Sequence, residues 1–159
     1  MAQSAGNGYV DACSVAFNYS GGLTNIADGI MVVGAIDSTG KDVRKPHGGY
    51  GFVNAPYAGN EAGSNYGKCV EAWAPGNNVL STWGLTTSPY TEDATTIYTG
   101  YVNLSGTSMA APHIAAMALY LAETTTKNAG QVESAIRSYF YNTGNVDVNG
   151  YPVRIPELP

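Results

Sequence analysis

The chain has 159 residues, of which 44% are apolar, so it is long and apolar enough for one domain with a packed core. Charged residues make up 12%, about half of the usual ~25%, and the net charge is −5. The sequence contains no basic run and no apolar stretch of ~18 residues, so we expect neither a nucleic-acid partner nor a membrane span. A surface made polar by hydroxyl and amide groups favours an extracellular protein.

The first half of the chain predicts buried strands separated by a long loop. Ala2–Gly8 is small and glycine-containing and predicts a loop. Ile30–Ile36 is a nearly continuous apolar run, the pattern of a strand buried on both faces of a parallel sheet. Lys41–Gly63 carries many glycines and prolines and predicts a long surface excursion. Cys69–Ala74 and Val79–Trp83 predict two further strands.

The second half of the chain predicts two helices. Thr107–Glu123 is rich in alanine, methionine and leucine, and its apolar residues on all sides predict a central, buried helix. Gln131–Tyr141 predicts an amphipathic helix, and Val146–Pro159 predicts an extended tail because it contains three prolines. Thr86–Thr99 is polar and predicts a connection or a hairpin.

Ser108 lies at the start of the long helix, directly after Gly106 and Thr107. Backbone N–H groups at a helix N-terminus point outward and favour negative charge. A serine at this place can therefore combine a nucleophilic hydroxyl with a donor that stabilises a developing oxyanion. The alternative is a serine or threonine that only caps the helix.

The segment Gly106–His113 (GTSMAAPH) resembles the nucleophile motif of the subtilisin-like serine protease family. Other segments resemble that family in the same order along the chain: Ala5–Asn7 (its oxyanion-hole loop), Val33–Asp37, Ser64–Gly67 with the following Cys69, Ala74–Gly76 and Leu80–Trp83. The resemblance covers most of residues 4–123 and points to the proteinase K and aqualysin branch.

The resemblance implies a three-layer α/β/α fold with a mostly parallel sheet. Residues 1–159 then form a single domain that corresponds to the C-terminal part of a subtilisin-like peptidase domain, with 41–63 as an inserted loop. Because the chain begins almost at the oxyanion-hole asparagine of the family, we expect it to be N-terminally truncated relative to that domain.

By the same resemblance, the activity is that of a serine endopeptidase that hydrolyses peptide bonds through an acyl-enzyme at Ser108. The side-chain amide of Asn7 donates to the oxyanion, a contribution of roughly 2.7–4 kcal/mol in the transition state. The residues that precede it, Ser4, Ala5 and Gly6, bind the polypeptide substrate. No cofactor is required for this chemistry.

A serine nucleophile needs a base, and the base needs an orienting carboxylate. The family's aspartate and histidine precede the asparagine loop and have no counterparts in this sequence. His113 matches a structural histidine of the motif, whereas His47 lies in the inserted loop and is a candidate for a rebuilt hydrolase or esterase site. The alternatives are a non-catalytic remnant or binding module, or a chain that pairs with a missing N-terminal catalytic segment or with a second copy of itself.

Cys13 and Cys69 are the two cysteines of the chain, and their spacing alone leaves a disulfide and two buried thiols equally open. The family resemblance implies a disulfide between them. It also implies a possible structural calcium ion bound by Asp37 with the backbone carbonyls of Asp28 and Ile30. Together with the polar composition, the disulfide favours secretion, with a signal segment outside this chain.

Overall fold

The structure is a computed structural model, and it describes residues 1–14, 28–42, 63–82, 101–123 and 126–157. Its strands and helices, in chain order, are β1 (Ala2–Ser4), β2 (Met31–Ile36), β3 (Ala72–Pro75), β4 (Val79–Thr82), β5 (Tyr101–Leu104), α1 (Thr107–Glu123), α2 (Ala129–Ser138), β6 (Phe140–Val146) and β7 (Pro152–Pro156). His47, Trp83, the segment Thr86–Thr99 and nearly all of the predicted insertion lie outside the described residues.

The centre of the fold is a parallel sheet with the strand order β1-β2-β3. All six residues of β2 are buried, as its continuous apolar run predicts. Because side chains alternate along a strand, Met31, Val33 and Ala35 face one side of the sheet, and Val32 and Ile36 face the other. The α/β class with a parallel central sheet that the sequence predicts is confirmed.

Both helices of the described residues pack on the first side of this sheet. The core there combines β2 and β3 with Ile114 and Met117 of α1 and Ile136 of α2. On the opposite side, Trp73, Cys69 and Val153 of β7 are buried, and the half-buried Cys13 packs against them. Gly34 is required at the centre of β2 because a Cβ atom there would lie 2.5 Å from the Trp73 ring.

The bounds of α1 match the prediction, but its expected burial on all sides is wrong. The residues of α1 that are buried are Thr107, Ala110, Ala111, Ile114, Met117 and Leu121. On the other side, Leu119 and Tyr120 are 71% and 51% exposed, next to exposed Ala115 and Ala116. We call these four residues the open face of α1. No helix among the described residues is long and apolar enough to span a membrane.

The sequence-based predictions for the two ends of the chain are also corrected. Ala2–Ser4 is strand β1 rather than loop, because it pairs in parallel with β2. Helix α2 ends at Ser138, and the chain then forms an antiparallel β6–β7 hairpin in place of a longer helix and an extended tail. Strand β1 and the β6–β7 hairpin both form because their residues pair with a neighbouring strand. Local composition does not reveal such pairing.

A partly buried ion-pair cluster fixes α2 to the sheet. Glu71 accepts a hydrogen bond from the Val32 N–H (2.9 Å) and contacts Arg137 (2.6 Å). Arg137 also pairs with Glu133 (2.7 Å), which accepts the Gly29 N–H (2.8 Å). Burial raises the pKa of Glu71 to about 7, although the Val32 N–H and the Arg137 charge act to lower it.

A candidate active site at the start of helix α1

The segment that leads into α1 is held by the turn after β3. The N–H of Gly106 donates to the carbonyl of Gly76 at 2.8 Å. The buried hydroxyl of Ser105 donates to Asn77 Oδ1 (3.1 Å) and accepts the Asn78 N–H (2.9 Å). These contacts fix the direction from which the chain enters α1, and therefore the position of the first helical residues.

Ser108 is the second residue of α1, and its side chain is exposed. The first N–H groups of a helix have no partner within the helix. Among the described residues, no group accepts the Ser108 N–H. Pro112 has no N–H for the carbonyl of Ser108, so this carbonyl also lacks the usual helical partner. Ser108 thus presents a hydroxyl and a free N–H to solvent at the positive end of α1.

Asn7 lies against the same helix start. Its side-chain Oδ1 accepts two hydrogen bonds from Thr107, one from the N–H and one from the hydroxyl, each 2.9 Å long. A backbone N–H can only donate, so the oxygen must face Thr107 and the Nδ2 group must face the other way. A Cβ atom at Gly106 would lie 3.1 Å from this Nδ2, so glycine keeps the space beside it open.

The loop that carries Asn7 is organised by a buried asparagine, Asn65. Its Oδ1 accepts the N–H groups of Gly8 (3.1 Å) and Val10 (3.2 Å), and its Nδ2 donates to the carbonyl of Ala5 (2.8 Å). Asn65 falls within a segment that resembles the family, but no local pattern indicates its role or that of Thr107. Their function of holding Asn7 depends on contacts between distant parts of the chain.

The three residues predicted to bind substrate have different surroundings. Ser4 ends β1 and is half-buried. Ala5 is fully buried, and its N–H and carbonyl bind Val33 and Asn65, so its side chain does not reach a substrate. Gly6 has a positive φ of 100°, and its N–H donates to the Thr107 hydroxyl at 3.1 Å. Direct contact with substrate stays a prediction for these three residues, and the buried side chain of Ala5 is not accessible for it in this structure.

The described residues contain one histidine, His113, and it does not face Ser108. Five residues along a helix correspond to a rotation of about 140° around the axis. The Nδ1 atom of His113 lies 3.0 Å from the carbonyl of Met109, one turn back. This geometry fits the structural role that its place in the motif predicts.

The structure joins Cys13 and Cys69 in a disulfide across a sequence separation of 56. The bond lies beside Trp73 in the core on the helix-free side of the described sheet. It connects the segment that follows the Asn7 loop to the segment that precedes β3. The pairing is the one that the family resemblance implies.

The predicted calcium ligands do not come together, so that ligand set is wrong. Asp28 and Ile30 precede β2 and Asp37 follows it, so the six-residue strand separates them by about 20 Å. Asp37 Oδ1 instead accepts the Thr39 N–H (2.7 Å) and the Lys41 N–H (3.2 Å) within its own turn. In the ranges that the structure describes, no three histidine, cysteine, aspartate or glutamate side chains are grouped to hold a metal ion.

The sequence was compared with protein-family models and with known proteins, and the matches point to the same family. The model of the subtilase family matches residues 1–151. An alkaline extracellular protease of Yarrowia lipolytica is 36% identical over 146 residues, which is 91% of this chain and 26% of that protein. An alkaline serine exoprotease of Vibrio alginolyticus is 36% identical over 136 residues, which is 85% of this chain and 18% of that protein. The chain thus spans about a quarter or less of these relatives.

Solved structures agree with the sequence relatives. A cold-adapted subtilisin-like serine proteinase superposes with a TM-score of 0.60 at 26% identity, covering 96% of this chain and 42% of the other. A protease from Pseudoalteromonas arctica gives a TM-score of 0.62 at 22% identity, covering 97% and 39%, and shows the shared fold. Both proteins extend well beyond the part that this chain matches.

Proposed function

We propose, from the premise that this chain belongs to the subtilase family, that Ser108 is the nucleophile of a serine endopeptidase site. The observation that carries the proposal is the pairing of two free donors at one helix start. The Ser108 N–H and the Asn7 Nδ2 both lack an acceptor among the described residues, while Thr107 fixes the Asn7 amide. Such donors stabilise the oxyanion that forms when a hydroxyl attacks a carbonyl.

In the proposed reaction, the Ser108 Oγ attacks the carbonyl carbon of a peptide bond and a base takes its proton. The tetrahedral oxyanion receives hydrogen bonds from Asn7 Nδ2 and the Ser108 N–H. The C–N bond then breaks, the base returns the proton to the leaving amine, and an ester on Ser108 remains. Water hydrolyses this ester and restores the serine.

We propose that the base and its carboxylate come from a separate segment that docks on this chain. Two features support a docking surface. The side of β1 that faces away from β2 has no ladder partner among the described residues, and the open face of α1 is apolar and exposed. Parallel sheets are normally covered on both faces, and the unpaired backbone groups of an edge strand can pair with a further strand. The solved relatives contain more than twice the length that this chain matches.

The extracellular names of relatives support export of this chain as a further part of the proposal. The disulfide between Cys13 and Cys69 agrees with an oxidising compartment. We therefore propose that the substrate of this site is an extracellular polypeptide. Ser4 and Gly6, beside Asn7, are the residues of this chain that we expect to contact it.

A fluorophosphonate probe tests the nucleophile. The chain is treated alone and as a fusion to the part of the Yarrowia lipolytica protease catalytic domain that precedes the matched region. We expect strong labelling of the fusion, its loss in Ser108→Ala, and a labelling rate lower by roughly 10²–10³ in Asn7→Asp, which keeps the acceptor for Thr107 but removes the donor. A folded fusion that is not labelled would contradict the nucleophile role and favour a non-catalytic module.

The chain without the fusion distinguishes a rebuilt site from a site that a second segment completes. Labelling of the chain alone that disappears in both Ser108→Ala and His47→Ala would indicate a rebuilt site within this chain. Labelling of the fusion only would support completion by a second segment. Labelling that survives Ser108→Ala would place the reactive group elsewhere.

A further inference from the structure

The strand that leads to the candidate nucleophile carries an acceptor tripeptide for N-linked glycosylation. Asn103, Leu104 and Ser105 form Asn-x-Ser with no proline at the middle position. We propose that Asn103 receives an N-linked oligosaccharide when the chain passes through a secretory pathway with the matching transferase, and that the first sugar packs on Tyr101. This modification is independent of the peptidase chemistry proposed for Ser108.

The acceptor side chain is accessible in the folded chain. Asn103 lies in β5, its side chain is exposed, and it is paired with Leu80 of the antiparallel strand β4. A bulky, solvated sugar needs an acceptor of this kind, because a buried asparagine would force the glycan into the core. The exposed position of Asn103 therefore meets the first requirement of a glycan site.

The surroundings of Asn103 offer the sugar an apolar surface. Residues two apart on a strand share a face, and residues directly opposite on paired strands share it too. Tyr101, Asn103 and Leu80 thus lie on one face of the β4–β5 pair. Tyr101 is 50% exposed and Leu80 is 62% exposed. A sugar ring on Asn103 would cover apolar area on this face, and burial of that area is stabilising.

The third residue of the tripeptide constrains when the transfer takes place. The Ser105 side chain is almost fully buried, and its hydroxyl donates to Asn77 Oδ1 and accepts the Asn78 N–H. A transferase that reads this hydroxyl cannot reach it in the folded chain. Transfer must therefore precede the folding of this segment, during passage of the nascent chain into the secretory compartment.

The transfer step is a substitution at a sugar carbon. The Asn103 Nδ2 forms a bond to the anomeric carbon of an oligosaccharide carried by a polyisoprenyl pyrophosphate. The bond between that carbon and the pyrophosphate oxygen breaks, and the lipid pyrophosphate leaves with the electron pair. The proton lost from Nδ2 passes to a base of the transferase, and no atom is oxidised or reduced.

The test is site-specific occupancy in a eukaryotic secretory host. The chain is expressed behind a cleavable signal peptide and collected from both lysate and medium. After reduction, trypsin separates Asn103, in peptide 69–127, from the other Asn-x-Ser asparagine, Asn18, in peptide 1–41. Release of glycan by an amidase in ¹⁸O-water converts an occupied asparagine to labelled aspartate, and a digestion without amidase serves as the blank.

We expect label in peptide 69–127 of the wild-type chain, no label there in Asn103→Gln, and retained label in Ser105→Thr, which keeps the acceptor tripeptide. Wild-type peptide 69–127 without label would overturn the proposal, whether or not Asn18 is occupied. Label that persists in Asn103→Gln would also overturn it.

The unfolding temperature tests whether the glycan contacts Tyr101. It is measured in the Asn18→Gln variant, so that only the glycan on Asn103 is present. We expect the glycosylated chain to unfold about 2–4 °C above the amidase-treated chain. Tyr101→Ser should keep the label in peptide 69–127 but give a smaller difference, because the conversion of Asn103 to aspartate is common to both chains and only the contact with Tyr101 is removed. Equal unfolding temperatures with and without glycan in the Tyr101 chain would overturn the packing part of the proposal.

Discussion

Thr107 and Asn7 are joined by two hydrogen bonds across 100 positions of sequence, from the N–H and the hydroxyl of Thr107 to the same oxygen of Asn7. The Thr107 hydroxyl also accepts the Gly6 N–H. One threonine at the helix start therefore fixes both the orientation of the Asn7 amide and the backbone just before it. The start of α1 and the loop that carries Asn7 are therefore held as one unit.

Replacement of Thr107 by valine should destabilise the chain by about 1–3 kcal/mol, because it leaves the Gly6 N–H without its acceptor and removes one of the two bonds to Asn7. Thr107→Ser is the matched control and should lose less than about 1 kcal/mol, since it keeps the hydroxyl. Urea unfolding of both variants gives the free energies. Equal losses in the two variants would contradict the role of the hydroxyl.

Gly76→Ala should destabilise the chain and disturb the entry to α1. A Cβ atom at Gly76 would lie 2.5 Å from Ala35 Cβ and 2.8 Å from the carbonyl oxygen of Gly106, and a backbone atom cannot turn away. Overpacking of this kind costs about 1–3 kcal/mol.

The control is Gly8→Ala, whose Cβ would meet nothing closer than 3.6 Å. It should change the free energy of unfolding by no more than about 0.5–1 kcal/mol. Thermal unfolding compares the two variants. A Gly76→Ala chain as stable as Gly8→Ala would mean that the turn after β3 can move without affecting the segment before Ser108.

Removal of the Cys13–Cys69 disulfide should cost about 4 kcal/mol, because it frees a loop with a sequence separation of 56 in the unfolded chain. The double variant Cys13→Ser and Cys69→Ser is compared with the wild type by denaturant unfolding. Intact mass after alkylation, with and without prior reduction, verifies the bond. Two alkylated thiols without reductant would show that the bond is not formed.

Glu71 should make the chain less stable as the pH rises from about 4.5 to about 7. Its pKa is raised from 4.5 to about 7 in the folded chain, so the folded state binds the proton more tightly than the unfolded state. This contribution is fully present below about pH 4.5, is lost as the pH rises through about 7, and amounts to about 3 kcal/mol.

Glu71→Gln is the control for this pH dependence, because it keeps an acceptor for the Val32 N–H and cannot ionise. Arg137, Glu133 and Asp28 also act on Glu71, so the measurement is the difference between the two chains. Urea unfolding at a series of pH values should give a wild-type curve that falls relative to the Glu71→Gln curve. Parallel curves between pH 4.5 and 7.5 would refute the shift.

The elements that the sequence predicted well are those whose patterns are local. The run from Met31 to Ile36 and the helix Thr107–Glu123 lie where composition and periodicity placed them. The misplaced elements are β1, which is too short for a periodic pattern, and β6, whose first two residues fall within the predicted helix Gln131–Tyr141. Both strands exist because a partner strand satisfies their backbone groups.

The sequence by itself was enough to identify the family motif, the nucleophile candidate Ser108 and the helix that carries it. These features depend only on residues that are neighbours in the chain. Tertiary structure alone decided which way the Asn7 amide points, because its acceptor role is set by Thr107, 100 residues away. It also decided that α1 has an open face, and that Asp37 and Asp28 are too far apart to share an ion. Each of these outcomes depends on distances between elements, which no local pattern of residues contains.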